Sequence, residues 1–138
     1  MASFKDRIEA EYEAIENTLS LLPNKPISQL SKLELAGLAT LIQNFYNGIE
    51  NILNQVFQLK SIIISTSSSW HQELLIKAKN ENIISDKLAD KLKEYLGFRH
   101  FFAHAYVLDL QTSRIESLIE KILETFNEFK EEINNNLK

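Results

Sequence analysis

Apolar residues return every three or four positions along most of this chain, the spacing of one buried helix face. Phe4, Ile8, Tyr12, Ile15, Leu19 and Leu22 form the first such row, and two prolines in "LLPNKP" (21–26) stop it. Ser31-Lys32-Leu33-Glu34 has the form of a capping box, in which two side chains satisfy free backbone N–H groups at a helix start. Behind it Leu38, Leu41, Ile42, Phe45, Ile49, Ile52, Leu53 and Val56 predict the longest and most buried helix. "SIIISTSSS" (61–69) breaks the pattern and reads as a loop. Ser69-Trp70-His71-Gln72 predicts a second capping box, opening a short helix through Lys79. Ser85 caps a fourth helix that runs toward Tyr106 with Gly97 inside it, where glycine costs about 1 kcal/mol against alanine and permits a bend or a close approach. Ser113-Arg114-Ile115-Glu116 predicts a third box. The row Ile115, Leu118, Ile119, Ile122, Leu123, Phe126 and Ile133 follows, and the tail "NNNLK" is expected to fray.

With 138 residues and only three Gly and two Pro, the chain reads as a single all-α domain over 1–138, an up-down bundle of four to five helices. It has no cysteine, which excludes disulfides, thiolate metal sites and cysteine nucleophiles. No apolar run reaches the roughly 18–20 residues of a membrane span, and the charged, periodic N-terminus is not a signal peptide; the expectation is a cytoplasmic protein with no membrane partner. Net charge is −4, against a wholly basic nucleic-acid binder. The charge is uneven: Lys5 and Arg7 against Asp6, Glu9, Glu11, Glu13 and Glu16 leave segment 1–22 at −3, while Lys87, Lys91, Lys93 and Arg99 against Asp86, Asp90 and Glu94 leave 85–106 at +1.

That less acidic segment contains "RHFFAHAY" (99–106), which concentrates Arg99, His100 and His104 in a chain with three arginines and three histidines in all. On a straight helix His100 and His104 share a face, as do Arg99 and Tyr106, but Arg99 and His104 stand roughly 140° apart. They converge if the helix distorts near Gly97, if the long arginine wraps, or if a second copy of the chain completes the site. Imidazole exchanges protons near neutral pH, and guanidinium grips phosphate oxygens with a planar fork. That pair suits cleavage of an RNA backbone, whose own 2′-hydroxyl is the nucleophile, and does not suit DNA, which lacks it.

Arg99-x-x-x-x-His104-x-Tyr106 resembles the R-x(4)-H-x-Y signature of HEPN domains, specifically of HepT-like toxins. "FYNGIENIL" (45–53), "WHQELL" (70–75) and "EYLGFRHFFAHAYVLDL" (94–110) resemble segments of that family in the same order, from about residue 30 onward. The resemblance implies a HEPN-like bundle dimerising through the motif-bearing helix. It implies a metal-independent endoribonuclease, without cofactor, acting on RNA and by family habit on tRNA, as the toxin of a type VII-like HEPN/MNT toxin–antitoxin pair. Arg99 would stabilise the scissile phosphate and His104 would be the acid/base. Tyr106 would receive AMP from an MNT-type nucleotidyltransferase antitoxin, blocking the cleft and adding negative charge. His100, Lys91 and Lys93 are candidate RNA contacts.

Blander readings stand beside these. His104 packs in a core or interface; Arg99 pairs with an acid such as Asp109; Tyr106 is structural; Trp70 and His71 anchor a short helix. His100 and His104 at i, i+4 invite a metal, but the chain has no His-Glu-x-x-His or Glu-x-x-His to complete one, so no metal is expected. The rival function is a catalytically silent HEPN-type binding or dimerisation subunit of a nucleotidyltransferase complex.

Overall fold

A computed structural model of the chain describes residues 3–64, 68–104 and 112–137, the side chains of 101–104 excepted. Five helices and a single 3-10 turn account for the regular structure, and no strand occurs among the described residues: α1 Phe4–Leu19, the turn Ile27–Gln29, α2 Lys32–Leu59, α3 Trp70–Asn80, α4 Asp86–His104 and α5 Thr112–Asn136.

The starts of these helices follow backbone chemistry more closely than sequence pattern. Ser31 and Glu34 form the predicted box, the Ser31 hydroxyl accepting from the Glu34 N–H (3.1 Å) and the Glu34 carboxylate from the Ser31 N–H (3.0 Å). Ser3 and Asp6 form another at α1, which apolar spacing does not mark. Ser85 caps α4 as expected, accepting from the Leu88 N–H at 3.1 Å. The other two predicted boxes are absent. Ser69 sits at φ −97°, ψ 19°, not in the extended backbone an N-cap needs, and its hydroxyl donates to the Glu73 carboxylate instead. α5 already begins at Thr112, so Ser113 lies inside its first turn. The tail also departs from expectation. It stays helical to Asn136, whose side-chain amide donates to the carbonyls of Ile83 and Glu132, both at 3.0 Å.

α2, with 28 residues, is the central element; it packs against α1, α3, α4 and α5, and all five helices contribute to one continuous apolar core. Phe45 lies at its centre, with its ring edge-on to Tyr95 of α4 (centroids 5.2 Å apart) and to Phe126 of α5 (6.2 Å). Leu123 is the exception on α5: one position past Ile122 it turns out of the row, and it is 55% exposed.

Packing also settles how α4 is aimed. Leu88, Leu92 and Tyr95 are buried, and Tyr95 locks α4 to α5 by donating to the Leu118 carbonyl at 2.6 Å. Arg99, four residues beyond Tyr95, continues that row and is carried toward α2. Gly97 is a point of close approach: a Cβ there would meet Arg114 Nη2 at 3.1 Å, and Arg114 lies over the Phe98 ring at 5.9 Å.

Candidate functional site

Arg99 is the one motif side chain the structure describes in full, and it is half-buried between α4 and α2. Its Nε donates to Asn47 Oδ1 at 3.1 Å, which fixes the plane of the guanidinium. Among the described residues its terminal nitrogens take no hydrogen bond or ion pair. Toward the described residues the guanidinium is thus held along one edge only, the kind of planar fork that can grip a phosphate with the other.

Asn47 begins a polar stripe on α2. Three residues on, Glu50 is only 3% exposed, and its Oε2 lies 2.7 Å from Nδ1 of His71 on α3. The His71 ring stacks on Trp70 with centroids 3.6 Å apart. Tyr46, one turn before Glu50, is wholly buried, and its hydroxyl has no hydrogen-bond partner of good geometry among the described residues. Burial beside Glu50 pushes the Tyr46 hydroxyl well above the ordinary phenol range. Tyr46, Asn47, Glu50, His71 and Arg99 therefore form one polar cluster where α2, α3 and α4 meet.

Sequence reasoning picked out only Arg99 of these five for the site. It read His71 as an anchor for a short helix, and the Glu50 contact does tie α3 to α2. A signal for Glu50 was present. Ile42, Tyr46, Leu53 and Phe57 are fully buried at helical spacing, and Glu50 is the one charged residue on that row. A carboxylate in such a row needs partners to be tolerated.

Burial is the largest influence on Glu50 and raises its carboxyl above the ordinary value of 4.5, against the opposing pull of His71 and Arg99. The folded state then holds this proton more tightly than the unfolded chain does. The stability it contributes is complete below the unfolded value and is lost as pH rises through the folded one. Glu50→Gln removes that loss and keeps an oxygen for His71. The variant should melt at or above wild type near neutral pH, with the gap closing as pH falls toward the ordinary value of 4.5. Thermal melts across pH check this; a variant melting far below wild type at neutral pH contradicts it.

The other predicted site residues divide. Lys91 is held by Glu128 at 2.6 Å, with Glu124 at 3.8 Å, so its charge is already neutralised within the bundle. Lys93 is exposed and lines a shallow groove between α3 and α4 of about 300 Å³, with Lys79 and Asp90. His100 is exposed on α4 and is not without a partner. His104 is the last residue of α4, and its side chain lies outside the described residues, as do Tyr106 and Asp109 entirely. α4 is α-helical through His104, so the roughly 140° offset from Arg99 persists at the backbone. Among the described residues no three metal-ligating side chains converge, and no helix is long and apolar enough to cross a membrane.

The HepT-like protein family matches residues 37–138, which include most of α2 with Asn47 and Glu50, α3 with His71 and the whole Arg99–Tyr106 motif. The chain belongs to the HepT-like family. A solved structure, the cytosolic protein of unknown function YutE from Bacillus subtilis, superposes with a TM-score of 0.75 over 96% of this chain and 90% of that one, at 20% identity. At that identity the likeness shows the fold, an all-helical bundle. No curated protein matches the chain. As a HepT-like protein it is a HEPN-type bundle of a family associated with toxin–antitoxin pairs, and Arg99 and His104 of its motif lie on α4, which packs against α2 and α5.

Proposed function

We propose that this HepT-like protein is the toxin of a HEPN/MNT toxin–antitoxin pair: a homodimeric, metal-independent endoribonuclease whose substrate is tRNA. The observation that carries the reading is Arg99, braced through Nε by Asn47 with its terminal nitrogens uncommitted among the described residues, five positions before His104. Bracing one edge of a guanidinium lowers the entropy lost when the other edge grips a phosphate. In this reading Arg99 holds the scissile phosphate and the charge that builds on it, and His104 moves a proton. The helical offset between them is met by pairing two motif helices across a two-fold axis, so that each cleft draws on both copies.

Silencing follows from the same electrostatics. An MNT-type nucleotidyltransferase antitoxin adds AMP to Tyr106, two residues beyond His104, and the adduct fills the cleft and repels RNA. Expression of this chain alone should arrest growth. Co-expression of the nucleotidyltransferase should restore growth and add AMP to Tyr106, read by mass spectrometry of the motif peptide. Tyr106→Phe should remain toxic in its presence. Harmless expression of the unmodified chain, together with a tight partner complex, would contradict the toxin reading and favour a silent binding subunit.

A further inference from the structure

Cleavage of RNA through its own 2′-hydroxyl needs two proton transfers. A base takes the proton of the 2′-hydroxyl as that oxygen bonds to phosphorus. The bond from phosphorus to the 5′-oxygen then breaks, and an acid protonates the departing oxygen. The products are a 2′,3′-cyclic phosphate and a 5′-hydroxyl. Each chain's motif offers one required imidazole, His104; pairing brings a second copy of that same residue, whereas the two tasks call for one group that starts neutral and one that starts protonated.

We propose that His71 is the second proton-transfer group of this site, the general acid, and that Glu50 is its positioning residue. The inference rests on the ribonuclease reading above and deepens it. Asn47 and Glu50 stand three residues apart on α2, a rise of about 4.5 Å. The first holds Arg99 Nε and the second holds His71 Nδ1. One turn of α2 thus seats both the phosphate-binding fork and an imidazole. With Nδ1 engaged by a buried carboxylate, the ring is fixed with Nε2 as its outward end, and no hydrogen bond reaches that nitrogen from the described residues. The His71 side chain is 22% exposed against 4% for Glu50, so the imidazole alone of the pair reaches solvent. Glu50 also offsets the charge of a protonated ring, the form in which a general acid starts. The groups that act on the Glu50 carboxyl are His71 of α3, Arg99 of α4 and Tyr46 of α2. In the step, Nε2–H gives its proton to the 5′-oxygen and His71 ends neutral.

A merely structural His71, tying α3 to α2, would lose activity on any substrate in proportion to lost fold. A general acid is dispensable when the leaving group needs no proton. The test uses an RNA hairpin that the wild type cuts, remade with sulfur in place of the 5′-bridging oxygen at the mapped bond. His71→Gln should cut the oxygen substrate about 100-fold or more slowly and the sulfur substrate at close to the wild-type rate. Glu50→Gln should show the same selective rescue with a smaller loss, and it serves if His71→Gln does not fold. Equal losses on both substrates, or no loss on the oxygen substrate, would overturn the proposal while leaving the ribonuclease reading intact. If unmodified wild type cuts neither substrate, the ribonuclease reading fails and this proposal falls with it.

Discussion

Arg99→Ala should reduce RNA cleavage by about 10²–10³-fold, the usual loss when one preorganised donor to a developing oxyanion is removed. Asn47 engages only Nε, so truncation deletes both the charge and the edge of the fork that Asn47 leaves unbonded. The stability penalty should be small by comparison, because Arg99 is half-buried whereas Tyr95 and Phe98 behind it are fully buried. Arg99→Lys separates charge from shape. It keeps a cation but loses the bidentate geometry and the planar edge that meets Asn47, so it should recover only a minor part of the rate. His104→Ala should cost a comparable or larger factor, since a positioned proton shuttle typically contributes about 10²–10⁴-fold. Single-turnover cleavage of saturating tRNA gives the chemical step directly. Wild-type rates in Arg99→Ala would remove the arginine from the mechanism.

Phe45→Ala should cause the largest loss of stability of any single truncation considered for this fold, about 3–5 kcal/mol. The ring is fully buried and bridges three helices, meeting Tyr95 of α4 and Phe126 of α5 edge-on. Edge-to-face pairs add about 0.5–1.5 kcal/mol beyond the area they bury, and removing Phe45 ends two of them. Domains are stable by only about 5–15 kcal/mol in all, so the loss is a large fraction of the total. Tyr95 lies one turn before Arg99, so a cavity at Phe45 also loosens the helix that aims the site. Urea denaturation should show a lower midpoint with an unchanged slope. Leu21→Ala, at a side chain 75% exposed, is the control and should stay within about 0.5 kcal/mol of wild type. A Phe45→Ala midpoint equal to that control would place the core elsewhere.

The helices were legible because so few glycines and prolines interrupt them and because apolar spacing is a direct consequence of burying one face. Helix ends were less so. Serine spacing marks Ser31 and Ser85 correctly, but a capping box depends on backbone conformation as much as on residue type, and Ser69 and Ser113 lack the extended N-cap position. Leu123 illustrates a second limit: a neighbour of a core residue can satisfy a loose three-or-four rule and still turn outward. At the site, Arg99 stands out by residue type and spacing alone. Asn47 is 52 positions from Arg99, and Glu50 is 21 from His71, so those pairings exist only after α2, α3 and α4 pack. Lys91 shows the reverse case. Its place beside the motif makes it a candidate RNA contact, and only packing shows the two glutamates it pairs with, which come from α5, 33 and 37 residues further along the chain.

The most direct test is to confirm by mass that the purified wild-type chain carries no adduct at Tyr106, then incubate it with total tRNA in EDTA. The expected result is a small set of discrete fragments ending in 2′,3′-cyclic phosphate. Intact tRNA from the unmodified chain, or cleavage that appears only on adding a divalent metal, would contradict metal-independent catalysis by this motif.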